Sequence, residues 1–257
     1  MHVCWTPHLK KYFQHTTLFL LLLPCAATAQ EKIESDRPTE TQSAQTVTRK
    51  MFQLESGVVY RRLESGGYSF QHPEVLVRYG VFKNLELRAR ATAETQKLKS
   101  ENINRYGLEP VEVGVKWEIA QKPQQYAVAL LGHVGIPKLS STDHDPHKTY
   151  VRWRALAEHN VGEKLKLEYN AGMDWSSEDQ EQNWIAAFSP LYELSDKWLL
   201  YGEVYSFFQK QALPQHQARV GLEYFISANV ELDLNAGAGL NKAAPRYFWN
   251  AGFGFRL

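Results

Sequence analysis

The chain has 257 residues, with 29 lysines and arginines against 28 aspartates and glutamates and a formal charge of +1. That balance offers no basic footprint for nucleic acid. Mean hydropathy is −0.43, and no stretch approaches the ~18 uninterrupted apolar residues that a membrane-spanning helix needs, so any span must be built from strands.

The amino terminus reads as a secretory leader. Lys10 and Lys11 precede the apolar run Leu18 to Leu23, and Ala27-Thr28-Ala29 supplies small residues for cleavage. Residues 1–29 are therefore expected to be a signal peptide cut before Gln30. Pro24, just ahead of Cys25, fits poorly with a lipidation signal. Both cysteines, Cys4 and Cys25, would leave with the leader, and 27 cationic and 28 anionic side chains would remain. Disulfides, thiolate metal sites and a cysteine nucleophile are then excluded from the mature chain.

Residues 30–50 are polar and lack any period. They are expected to form an irregular segment, periplasmic or inserted in a lumen, with a disordered terminus as the alternative.

From Met51 to Leu257 the chain alternates with period two, the mark of strands. Leu85, Leu87, Ala89 and Ala91 interleave with Glu86, Arg88, Arg90 and Thr92. About twelve strands are expected, near residues 52–60, 74–81, 85–93, 111–119, 125–134, 150–159, 165–174, 184–191, 198–207, 217–225, 230–238 and 246–257. Short connections fall at Phe82-Lys83-Asn84, Lys122-Pro123, Val161-Gly162-Glu163, Ser195-Asp196-Lys197 and Ser227-Ala228-Asn229. Longer ones are expected over 61–72, 95–110, 137–149 and 175–183. Bacterial barrels place short turns toward the periplasm and long loops outside. Residues 51–257 therefore predict an all-β fold, a transmembrane antiparallel β-barrel of the bacterial cell outer membrane, closed by a terminal strand carrying Tyr247, Trp249, Phe253 and Phe255 on one face. Its tryptophans fall mostly at strand ends, where amphipathic rings suit the headgroup region. Tyr68, Phe70 and Phe207 are the candidates for stacking on a greasy solute.

Several segments carry a family resemblance. Ser35-Asp36-Arg37-Pro38-Thr39-Glu40-Thr41, Gln53-Leu54-Glu55-Ser56-Gly57, Arg78-Tyr79-Gly80-Val81 and Leu85-Glu86-Leu87-Arg88 open the pattern. Val113 to Trp117, Gly132 to Pro137, Leu194 to Trp198, Gly237 to Asn241 and Gly252 to Arg256 continue it. The chain resembles the family of outer-membrane β-barrel transporters named for the MetA pathway of phenol degradation. It departs from that pattern at Ala44, Thr48 and Lys50, where two prolines and a glycine are expected. The resemblance implies transport of small, often aromatic or hydrophobic, compounds.

Taken literally, the alternation points Glu55, Arg78, Glu86, Arg88, Arg90, Glu112, Lys116, Glu118, Glu168, Glu203, Glu223, Glu231, Asp233 and Arg256 inward. Such side chains can line a wet path for small solutes, or pair across strands and close a narrow barrel. The expected function is a passive, porin-like channel with no cofactor, its partners being outer-membrane lipids, small-molecule solutes and, during insertion, the barrel-assembly machinery. A closed structural or envelope-interaction barrel is the alternative.

A lipid-modifying enzyme would need a histidine beside a nucleophilic serine. His133, His159, Ser176, Ser177 and Ser189 are available, but no nucleophile motif surrounds the serines. Asp143, His144, Asp145 and His147 could bind a transition metal at the surface, and read more simply as a solvated loop.

Overall fold

The computed structural model describes residues 31–37, 39–98, 103–141, 149–176, 182–210 and 212–257. The expected leader, Pro38, the 143–147 loop and Ser177 lie outside these residues. Lys32 to Leu257 form one compact unit.

That unit is a closed antiparallel barrel. Its strands are β1 Phe52–Arg62, β2 Tyr68–Phe82, β3 Leu85–Leu98, β4 Ile103–Leu108, β5 Val111–Lys122, β6 Tyr126–Ile136 and β7 Tyr150–Val161. They continue as β8 Leu165–Ser176, β9 Gln182–Ser195, β10 Trp198–Gln209, β11 Gln215–Ser227, β12 Val230–Gly239 and β13 Tyr247–Arg256. Each main strand pairs with its neighbours in sequence, and β1 pairs with β13, from Gln53↔Arg256 to Arg62↔Tyr247. Phe52 and Leu257 exchange two backbone hydrogen bonds of 2.8 Å, which carries the seam to the last residue.

Thirteen named strands make a twelve-membered ring because β4 and β5 share one position. The lower part of β3 pairs with β5 (Arg90↔Glu112) and the upper part with β4 (Ala93↔Leu108). Glu109-Pro110 interrupts the strand, as expected of a residue with no N–H for the ladder. Here the sequence expectation of a loop over 95–110 fails: most of it is strand. The connection expected over 61–72 likewise shortens to residues 63–67, because β1 and β2 continue as a ribbon. Above the membrane neither face of a hairpin must be apolar, so the pairing persists where the hydrophobic signal fades.

The outer face carries the apolar set. Leu87, Val113, Val115, Leu130, Val220 and Leu234 are all exposed. A continuous apolar wall would be an aggregation liability in water, and suits contact with acyl chains. Trp117, Trp153, Trp184, Trp198 and Trp249 are also exposed. A ladder of rings crosses β13, β1 and β2, with Trp249–Tyr60 at 5.9 Å and Tyr60–Phe70 at 6.4 Å. Tyr68 belongs to this ladder, so it and Phe70 sit in the ring belt of the wall. Phe207 packs with Ala187, Tyr205 and Phe248.

The described residues between 32 and 50 form neither helix nor strand apart from a bridge between Arg49 and Gly80. The segment starts beside one short turn, where Ile33 N donates to Ala228 O at 2.7 Å. It returns beside another, where Lys50 N donates to Gly80 O at 2.7 Å. A Cβ at position 80 would collide with the backbone oxygens of Val47 and Thr48, so glycine permits this close approach. Lys50 turns through a φ of 67°, the left-handed region that favours glycine. That is the position where the resemblance leads one to expect a glycine.

A candidate solute pathway and its occupant

The inner faces of the strands are polar, as the alternation requires, and residues 33–47 run among them. Ile33, Asp36, Arg37, Thr41, Gln42, Ser43, Ala44 and Val47 are buried. The backbone of this segment has no ladder to join, so its donors are met by barrel side chains. Glu55 accepts from the N–H groups of Asp36 and Arg37 at 2.9 Å each. Glu203 accepts from Thr41 N and Oγ1 at 2.6 Å. Asn170 and Gln42 exchange two bonds, Glu158 accepts from Ser43 Oγ, Ala44 N and Gln45 Nε2, and Glu86 accepts from Val47 N.

Eleven of the fourteen inward residues read from the sequence fall into four groups. In the first, Arg78 donates to Glu86 at 2.9 Å and to Glu55 at 3.0 Å, while Arg88 lies 3.2 Å from Glu86. Asp36 enters this group from the segment: its Oδ2 takes a short hydrogen bond from Arg88 Nη1, lies 2.7 Å from Lys116 Nζ, and is 3.6 Å from Arg78 Nη2. Burial alone would raise the Asp36 pKa, but Arg78, Lys116 and Arg88 outweigh it and hold the carboxyl well below the usual range.

The second group surrounds a cavity of about 40 Å³ lined by Glu40, Arg61, Glu74, Arg90, Arg152 and Arg154. Glu112 joins it, accepting from Tyr150 Oη at 2.7 Å and facing Arg152 at 3.5 Å. The third group is acidic: Glu223, Glu231 and Asp233 are buried on β11 and β12, with Glu223 directly opposite Asp233. Arg37 bridges this wall to the second group, 3.6 Å from Asp233 and 2.6 Å from Glu74. Arg37 passes where Gly57 and Gly252 oppose each other, and a Cβ at either would strike its guanidinium. The fourth group pairs Glu203 with Arg219 at 2.6 Å. The Arg219 guanidinium lies 4.7 Å from the Tyr205 ring centre and 5.1 Å from that of Phe248.

Glu118, Glu168 and Arg256 stand apart. Glu168 binds Lys166 at 3.0 Å, and Arg256 Nε donates to Asn229 at 3.1 Å beside a short turn. Glu118 is buried near Asn84, which donates to its backbone oxygen. Sequence reasoning passed over Glu74, Arg152, Arg154, Glu158, Asn170, Asp174 and Arg219, although several lie in the same alternation. On β7 the inward set is Arg152, Arg154, Leu156 and Glu158, and Leu156 disguised its polarity.

Around the ring, β2 to β7 mix the two signs, with Glu74, Glu86, Glu112 and Glu158 standing among Arg78, Arg88, Arg90, Lys116, Arg152 and Arg154, whereas β11 and β12 gather Glu223, Glu231 and Asp233 beside Arg219. Asp36 of the segment meets cations of the first stretch, and Arg37 meets an acid of each.

Among the described residues, the serines and histidines considered for catalysis do not meet. Ser189 Oγ donates to Gly202 O at 2.8 Å, His133 is buried in the lumen, and His159 stacks on Tyr169 at 5.7 Å. One serine–histidine contact does occur, Ser206 with His216 at 2.7 Å, beside a depression of about 350 Å³ that includes Ala186, Phe188, Val204 and Leu240. The alternation did not signal it. Among the described residues, no group of three or more histidines, cysteines or acids is placed to hold a metal ion.

A twelve-membered antiparallel ring with an apolar outer wall, aromatic belts and a polar lumen is an outer-membrane barrel. The chain belongs to the family described as "Putative MetA-pathway of phenol degradation", whose pattern matches residues 35–257. Among solved structures it is similar to an outer membrane channel from Pseudomonas putida F1, with a TM-score of 0.62 at 10% identity, covering 86% of this chain and 99% of that one. It is also similar to the NanC porin (TM-score 0.56, 12% identity, 80% and 100% covered) and to the KdgM porin crystallised with oligogalacturonate (TM-score 0.55, 10% identity, 80% and 98% covered). No curated protein matches it.

Proposed function

We propose that this chain is a passive outer-membrane channel for small solutes, with residues 33–47 as a displaceable closure of its lumen. The observation that carries this reading is how the segment is held. Its backbone is fixed mainly by side chains of Glu55, Glu86, Glu158, Asn170 and Glu203. Such bonds can be exchanged for water without unravelling the barrel ladder, whereas a lost strand would open the ring.

The similar folds include a channel and porins, which supports a conducting role. No energy source is needed for downhill passage, and the sequence-selected inward residues, Glu55 to Arg256, would line the path. We read the protein as non-enzymatic: Ser206 and His216 lie on the outer wall, and Ser189 donates to a backbone oxygen. Outer-membrane lipids would contact the apolar belt, the assembly machinery would insert the barrel, and residues 1–29 would be removed on export. The density of ion pairs and the small residual cavity favour a second reading, a permanently closed structural barrel.

Swelling of proteoliposomes in small neutral solutes separates the two. The channel reading predicts slow swelling with the whole chain and fast swelling after deletion of residues 33–47. Equal, negligible swelling of both, with each protein folded by heat-dependent gel mobility, would leave the structural reading.

A further inference from the structure

We propose that Arg78, Arg88 and Lys116 form a binding site for the carboxylate of a small solute, occupied in the resting protein by Asp36 as an internal stand-in. This deepens the channel reading and rests on it, because the site opens only if the segment can leave.

The charges are incomplete without Asp36. The wall supplies three cations, Arg78, Arg88 and Lys116, and two carboxylates in contact with them, Glu55 and Glu86. One positive charge therefore remains for the segment to neutralise, and it does so through a single oxygen, Asp36 Oδ2, which all three cations approach. Burying that charge unpaired would be costly, so the site demands an anion whenever the segment is displaced.

The chemistry favours a monoanion. Lys116 Nζ also donates to Ser43 O at 2.9 Å and Gln45 O at 3.2 Å, and both acceptors leave with the segment. Arg88 Nε and Nη2 are buried without a hydrogen-bond partner. Asp36 is held through its backbone to Glu55, and its second oxygen, Oδ1, accepts from Ser43 N at 3.2 Å and so is turned away from those donors. A free carboxylate has no such tether and could engage arginine through both oxygens, the geometry in which these pairs are strongest. A phosphate dianion would bring one negative charge too many.

The neighbouring residue repeats the device with the opposite sign. Arg37 faces Glu74 of β2 and Asp233 of β12, so adjacent side chains of the segment satisfy cations and acids of the lumen in turn. A solute carboxylate competing for the first contact would loosen the second, because both hang on one stretch of backbone.

Sodium benzoate is the probe, with benzyl alcohol as its uncharged counterpart. In planar bilayers containing the whole chain, benzoate should raise the frequency of openings and benzyl alcohol should not. Asp36→Asn should open without benzoate and bind it about tenfold more tightly than the unmodified chain by calorimetry, since an internal competitor has been removed. Adding Lys116→Met should abolish that gain. If deletion of residues 33–47 conducts, yet benzoate neither opens the unmodified chain nor binds Asp36→Asn, the carboxylate site is wrong and the closure stands. If the deletion is silent, the closure itself is wrong and the site falls with it. The benzoate arm on the unmodified chain needs no variant to fold.

Discussion

Arg78 is 1% exposed and touches Glu55, Glu86 and the Glu34 carbonyl, with Asp36 just beyond. Removing one member of such a group leaves buried charge of one sign, at a cost of about 3–5 kcal/mol. Arg78→Met should accordingly lower the temperature at which the folded gel band is lost, and Glu86→Gln should do so less, since an amide still accepts from the guanidinium. Lys50 is the opposite case. Its φ of 67° is tolerated rather than preferred, so Lys50→Gly should stabilise by about 0.5–1 kcal/mol, read as a rise in the same melting temperature; a fall would mean that the lysine side chain does more than fill the position. Of the fourteen residues selected for inward direction, thirteen are buried and Arg90 lines the cavity; period two assigns direction without knowing partners. What could not be read was the company they keep: Asp36 meeting Lys116 depends on a segment with no period at all.

At the scale of the element, strand positions were legible wherever one face meets lipid, since the bilayer enforces the alternation there. They were not legible above it. β4 is only six residues long and interleaves Arg105 and Gly107 with Tyr106 and Leu108, and it pairs with β3 through backbone bonds that so short a pattern does not announce. The break between β4 and β5 has its own chemistry. Burial and the nearby Glu94 push the Glu109 carboxyl up to about 8. A folded pKa above the free value means that this contribution to stability is full below the ordinary glutamate range and is lost as pH rises through about 8. Amide exchange over residues 103–108, corrected for its intrinsic pH dependence, should therefore accelerate progressively from the ordinary glutamate range up to about pH 8 and level off above it, and Glu109→Gln should remove that pH dependence. Protection unchanged across this range would show that Glu109 is not tied to the pairing of β4.

For the whole molecule, three features reinforce one another: an apolar outer wall, a lumen of interleaved cations and acids, and a segment within it carrying Asp36 and Arg37 in succession. The barrel needs lipid outside and counter-charges inside, and the segment supplies part of the latter. Single-channel conductance of the purified chain in a planar bilayer, with and without residues 33–47, tests this arrangement most directly. The account predicts rare, small openings for the whole chain and frequent, larger ones for the deletion, with the larger ones altered by replacing Glu86, Arg88 and Arg90 with alanine. Identical silence from both folded proteins, or identical conductance, would contradict it.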